Sequence, residues 1–138
     1  MDHVDLVTGD IIDAALKLHR GLGPGLLESV YHVLLARELE RRGRRVIRQK
    51  IVTFEFDGLI FDDGLRIDLF VDDMVVVELK SVECLADVHR KQLLTYLRLM
   101  KLPVGLLINF GAPTLKEGLQ RVVNGYRPSS ASPRLRVR

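Results

Sequence analysis

Asp68, Glu78 and Lys80 sit inside strands otherwise built from Ile, Leu, Phe and Val, in the stretch RIDLFVDDMVVVELK that runs from Arg66 to Lys80. An ionised group within apolar strands costs stability unless something pairs with it. Two arrangements would supply that partner. A divalent cation between the two carboxylates would turn their repulsion into ligation. Magnesium suits such a pair, because it takes oxygen ligands and needs only one or two carboxylates from a protein. Lys80, two residues beyond Glu78, would then orient a water or steady a phosphate. The alternative is an ion-pair lattice in which Arg66 and Lys80 neutralise Asp68 and Glu78. The hairpin alone leaves the two readings level.

The register of the hairpin decides how close these groups come. A two-residue turn at Asp72-Asp73 would mix charge and hydrocarbon on both faces. A three-residue loop, Asp72-Asp73-Met74, instead gathers Ile67, Leu69 and Val71 against Leu79, Val77 and Val75 on one apolar side. It sets Asp68 opposite Glu78, and Arg66 opposite Lys80, on the other. Register follows the grouping of apolar residues, and three-residue loops are common in hairpins, so the second register is expected.

The elements that must position this hairpin are legible in outline. Residues 7–20 carry helical periodicity with Thr8 as a candidate N-cap, and GLGPG at 21–25 breaks that helix. A second helix is expected over about 26–42, with Gly43 as its stop. Strands follow over about 45–56, a turn at Asp57-Gly58, a short return through Ile60, and the 65–80 pair. A third helix is expected over about 86–100, then a buried strand at 104–110 and a weak last strand at 120–124. The order αα-βββ-α-β-β reads as α/β or α+β, a central mixed sheet flanked by helices.

The pattern Asp68 with Glu78-Leu79-Lys80 resembles the metal-dependent PD-(D/E)XK nuclease superfamily. The segment GLLESVY, from Gly25 to Tyr31, is a G-x-x-E-x-x-Y signature, similar to that of the small GxxExxY branch. LGPGLLESVY, the hairpin, QLLTYL and GLLINFG all look like that branch, over about residues 6–125. The resemblance implies a restriction-endonuclease-like core over 1–126 that hydrolyses phosphodiester bonds of DNA or RNA with Mg²⁺ or Mn²⁺. It implies Asp68, Glu78, the Leu79 carbonyl and Glu28 as the metal set, with Lys80 and Gln92 as further catalytic residues. Tyr31, Arg66 and Tyr96 are accessory candidates. Glu28 also fits its place physically, since the first turn of a helix favours a carboxylate. Ile67 stands where the superfamily name has proline. A rival reading is a catalytically silent nucleic-acid-binding or oligomeric assembly module on the same fold.

Composition sets wider bounds. The 138 residues are 47% hydrophobic and 28% charged, enough for one domain with its own core. Four of the 21 basic residues, Arg127, Arg134, Arg136 and Arg138, lie in the last twelve, which hold no acid. The rest of the chain has 17 against 18 acidic residues, so its body is near neutral. Residues 127–138 read as a disordered basic tail. The dense basic segment Arg37, Arg41, Arg42, Arg44, Arg45, Arg48 and Lys50 reads either as a phosphate-contacting surface or as a solvated helix end. His89, Gln92 and Tyr96 share one face of the third helix, with His89 expected to be structural or solvated. Cys84, the one cysteine, excludes an internal disulfide and reads as a small apolar residue. No apolar run approaches the roughly 20 residues of a membrane span, and no secretory signal opens the chain. A cytoplasmic protein and a homo-oligomer are expected.

Overall fold

The computed structural model describes residues 2–125, so the expected disordered tail at 127–138 lies outside the described residues. Helix α1 (His3–Leu22) begins four residues earlier than the expected 7–20. Asp2, not Thr8, caps it, accepting from the Asp5 N–H at 2.9 Å. Thr8 lies inside the helix and donates back to the Asp5 carbonyl at 3.1 Å, as hydroxyls do in helix interiors. Helix α2 (Glu28–Arg41) stops before Gly43, whose φ of 85° is the left-handed conformation a helix exit favours.

Strand β1 (Val46–Phe56) turns at Asp57-Gly58 into β2 (Leu59–Val71). Both turn residues have positive φ, 53° and 79°, as a tight hairpin connection requires. The expected short return and separate strand are therefore one 13-residue strand, β2. Strand β3 (Val75–Lys80), helix α3 (Asp87–Met100), strand β4 (Val104–Asn109), the single turn α4 (Leu115–Gly118) and strand β5 (Leu119–Val123) complete the described chain. The sheet order is β1-β2-β3-β4-β5. Only the β3–β4 pair is parallel, joined through α3, so the sheet is mixed.

Apolar residues fill two layers. On one face, Ile11, Tyr31, Leu35 and Leu39 of α1 and α2 pack on Leu69, Val71, Val77, Leu79, Leu106 and Ile108. On the other, Leu93 and Leu97 of α3 pack on Ile67, Phe70, Val76, Leu107 and Val122. Helices thus flank both faces of the mixed sheet, as expected from the order of elements in the sequence. The expected register appears at Leu69–Val77 and Val71–Val75.

The apolar grouping behind that register holds only in part. Ile67 belongs to the α3 face with Phe70, not to the face of Leu69 and Val71. The cause is a kink. Between its Arg48–Leu69 and Lys50–Ile67 pairs the β1–β2 ladder skips Gln49 and Asp68, and Gln49 has a left-handed φ of 53°. The alternation of both strands resets there. The β2–β3 ladder also ends at Leu69–Val77, so the expected pairing of Arg66 with Lys80 is not made. Arg66 is exposed, and its backbone partner is Ile51 on β1.

The basic segment divides as well. The Arg42 guanidinium binds Asp10 at 2.8 Å, Asp13 at 2.9 Å and Glu38 at 3.0 Å. Arg44 bridges Asp10 and Asp72, each at 2.9 Å. These two arginines tie α1 and α2 to the β2–β3 turn and do not form an open phosphate surface. Burial works against the Asp10 charge, but hydrogen bonds from Arg42 and Arg44 hold its carboxyl below the usual range. Arg42→Met should cost about 2 kcal/mol in urea denaturation at neutral pH, because it strands partly buried carboxylates. Asp10 and Glu38 both have lowered values. The stabilisation is thus present above their ordinary range and lost as pH falls, and the difference should vanish in acid.

Candidate active site

Three elements meet where β2 and β3 part. Beyond Leu69–Val77 the two strands exchange side-chain bonds in place of ladder bonds. The Asp68 N–H donates to Glu78 Oε2 at 2.9 Å, and the Leu79 N–H donates to Asp68 Oδ2 at 2.8 Å. Each carboxylate is thereby fixed by the opposite strand's backbone. The end of the β2–β3 ladder at Leu69–Val77 leaves both N–H groups to the carboxylates.

Helix α2 brings Glu28 and His32 to the same place. His32 Nε2 lies 3.5 Å from Asp68 Oδ2 and 3.8 Å from Glu28 Oε1. One ligand atom from each of Glu28, His32 and Asp68 falls within 4.8 Å of the others. His32 is buried, and its Nδ1 lies 3.1 Å from Nε2, the amide nitrogen, of Gln49. Gln49 at the kink therefore fixes the ring of the histidine facing Asp68. Sequence reasoning missed His32. The available signal was its i, i+4 spacing from Glu28, which puts both on one helix face.

Glu78 is buried, and its carboxyl is pushed up to about 8, first by burial and then by the charge of Asp68. The backbone bond from Asp68 and the charge of Lys80 oppose this only in part. Lys80, half-buried at the end of β3, lies near enough to be felt. Among the described residues, however, neither Lys80 nor Arg66 forms an ion pair with Asp68, Glu78 or Glu28; the side chain within 4 Å of Asp68 and Glu28 is the His32 imidazole. The ion-pair lattice is not built.

Tyr96 of α3 is half-buried, with its hydroxyl raised by burial and then by the charges of Glu78 and Asp68, so it borders the cluster. Gln92, one turn earlier, is exposed. His89 has the expected structural place, its Nδ1 accepting the Ala86 N–H at the start of α3 at 3.1 Å. Cys84 is exposed rather than a packed apolar residue.

Tyr31 does not reach the cluster; it builds the support. Its ring is fully buried and stacked on Phe110 at 4.3 Å between centroids. Its hydroxyl donates to the Gly23 carbonyl at 2.7 Å and accepts the Leu26 N–H at 3.2 Å. The loop so pinned passes through Gly25, whose φ of 103° suits glycine, and delivers Glu28. The spacing of Gly25, Glu28 and Tyr31 thus has a mechanical meaning. Tyr31→Phe should cost about 1–2 kcal/mol in thermal denaturation, through loss of a buried hydrogen-bonding group. A cavity of about 520 Å³ between residues 24–28 and 81–83 opens beside Glu28.

The donor set suits a hard divalent cation. Two carboxylates, Glu28 and Asp68, converge with the His32 imidazole, and the buried Glu78 carboxyl lies outside that trio but close enough to feel the charges of Asp68 and Glu28. No helix among the described residues is long and apolar enough to cross a membrane. The family model described as the PD-(D/E)XK nuclease superfamily matches residues 5–122. No curated protein matches the chain.

Proposed function

The chain belongs to the PD-(D/E)XK nuclease superfamily, and from that premise we propose that it is a metal-dependent nuclease hydrolysing phosphodiester bonds of DNA or RNA in the cytoplasm. The observation that carries the reading is the parting of β2 and β3 at Asp68 and Glu78. It leaves two carboxylates beside Glu28 with no lysine or arginine paired to them. We place the chain in the GxxExxY branch, with residues 1–126 as the catalytic domain. The way Tyr31 and Gly25 present Glu28 supports that placement.

Asp68, Glu78, the Leu79 carbonyl and Glu28 would hold Mg²⁺ or Mn²⁺, with His32 in the same shell. The bound ion would lower the pKa of the attacking water and offset charge on the scissile phosphate. Lys80 orients that water and helps take its proton. Gln92 and Tyr96 steady the phosphate or water from α3, and Arg66 contacts the nucleic-acid backbone. Tyr31 holds Glu28 in place through the loop. Gln49 sets which ring nitrogen of His32 carries hydrogen. The amide nitrogen of Gln49 faces Nδ1, which leaves the ring hydrogen on Nε2 toward Asp68; turning the amide over would set its oxygen on Nδ1–H and free Nε2 to ligate.

The test is incubation of labelled DNA and RNA with the protein in Mg²⁺, Mn²⁺ or EDTA. Cleavage that requires metal and is lost in Lys80→Met is expected. Nucleic-acid binding that persists in EDTA, with no cleavage in any metal, would replace this reading by the silent binding module.

A further inference from the structure

The cavity beside Glu28 has two walls, residues 24–28 on one side and 81–83 on the other. Glu28 belongs to the first wall, and Lys80 immediately precedes the second. Among the described residues, a single hydrogen bond crosses the gap, from the Ser81 hydroxyl to the Leu26 carbonyl at 2.6 Å. The Leu26 N–H is held by the Tyr31 hydroxyl at 3.2 Å, so both backbone polar groups of Leu26 are engaged. No side-chain hydrogen bond caps α2 at Leu27. The place of Glu28, two residues beyond Leu26, therefore depends on this loop.

Ser81 is itself held from β4. Asn109 is 2% exposed, and its side chain is nevertheless well satisfied. Its Oδ1 accepts the N–H groups of Val82 and Gly111, each at 3.0 Å, and its Nδ2 donates to the Val82 carbonyl at 2.9 Å. The exchange with Val82 copies a hydrogen-bonded ladder pair beyond the end of β3. The Phe110 N–H donates to the Lys80 carbonyl at 2.8 Å, which leaves Ser81 between two fixed residues. Gly111 comes so close that a Cβ there would overlap the Val82 backbone. The Phe110 ring stacks on Tyr31, the residue that pins Leu26. Asn109, Phe110 and Gly111, which end the GLLINFG segment, thus join the exit of Lys80 to the support of Glu28. The Ser81–Leu26 bond is exposed, so it adds little to global stability; what it provides is a fixed separation.

We infer that Ser81 and Asn109 are positioning residues for the metal centre. Asn109 fixes the backbone that follows Lys80, and Ser81 passes that restraint to Leu26, which sets Glu28 against Lys80. The inference rests on the metal centre proposed above and extends it to two residues outside the metal set.

Hydrogen exchange of the full chain in EDTA and calorimetric Mn²⁺ titration test it together. Ser81→Ala should speed amide exchange over residues 25–30 by about tenfold. It should weaken Mn²⁺ binding by about tenfold or more, with Tm lowered by no more than about 2 °C. Ser81→Thr keeps the hydroxyl and should restore both. Asn109→Ser should show the same two changes with a larger loss of Tm. Thr114→Ala removes the cap of α4, a bond of 3.3 Å from the Glu117 N–H. It should lower Tm and leave exchange at 25–30 and Mn²⁺ binding unchanged, because it alters stability alone. Unchanged exchange at 25–30 in Ser81→Ala, or Mn²⁺ affinity equal to that of a binding wild type, would overturn the inference alone. A wild type that binds no Mn²⁺ would remove the metal centre, and with it both the proposed function and this inference.

Discussion

Asp68→Asn is expected to lower metal-dependent cleavage by at least about a hundredfold while making the metal-free protein more stable. The two effects have one origin. Asp68 sits between Glu28 and Glu78, and its charge is the second-largest cause of the raised Glu78 carboxyl. Asparagine keeps an oxygen to accept the Leu79 N–H, a bond of 2.8 Å in the wild type, so the parted strands should survive. What disappears is the negative charge that a divalent cation needs and that the empty fold tolerates poorly. Loss of a ligand at a metal centre that stabilises developing charge is worth on the order of a hundred- to a thousandfold or more in rate. Removing a like charge should raise Tm in EDTA by a few degrees, on the order of 1 kcal/mol for a domain of this size. A residue serving only as structure would lose stability instead. Parallel measurement of cleavage rate and EDTA Tm separates the two roles.

Glu78→Gln should stabilise the metal-free protein at pH 8 and change little at pH 4.5. Burial, then the Asp68 charge, lifts this carboxyl from its ordinary 4.5 to about 8. The folded state therefore holds a proton that the unfolded chain releases. Stability that depends on that proton is fully present below about 4.5 and drains away as pH rises toward 8. Each pH unit in that window is worth up to about 1.4 kcal/mol. The substituted amide has no such proton to lose, so the variant's advantage should grow across the window to roughly 2–4 kcal/mol. Cation binding must expel the same proton, so apparent Mn²⁺ affinity should climb with pH up to about 8 and then level. Urea denaturation in EDTA and calorimetric Mn²⁺ titration, each at pH 5, 6, 7 and 8, would measure the two trends. A flat profile in both would remove the role given to Glu78.

The candidate site was legible where it followed from simple patterns. Apolar grouping fixed the pairing of Leu69 with Val77 and Val71 with Val75, and with it the approach of Asp68 to Glu78. Helical spacing put Glu28 at the start of α2. What the pattern could not show was the kink at Gln49 and Asp68. Strict alternation assigns Ile67 to the face of Leu69, yet the kink sends it to α3, and the β2–β3 ladder stops at Leu69–Val77 and leaves the Asp68 and Leu79 N–H groups to the carboxylates. His32 escaped for a related reason. A histidine one turn from a glutamate reads as an ordinary helix face until β2 is seen to bring Asp68 within 3.5 Å. The division of the arginine run also needed three dimensions, because Asp10 lies more than thirty residues from Arg42 and Arg44. Tyr31 shows the converse. Its motif was visible, but its task of pinning Gly23 and Leu26 follows from geometry alone.

The central claim is that Glu28, Asp68 and Glu78, with His32 beside them, form a metal centre. A crystal soaked in Mn²⁺ and measured at the manganese absorption edge tests it most directly. An anomalous peak among these side chains is expected, with Glu78 turned onto the ion and no such peak in Asp68→Asn crystals. A peak elsewhere, or none here while Lys80 closes onto Asp68 as an ion pair, would contradict it.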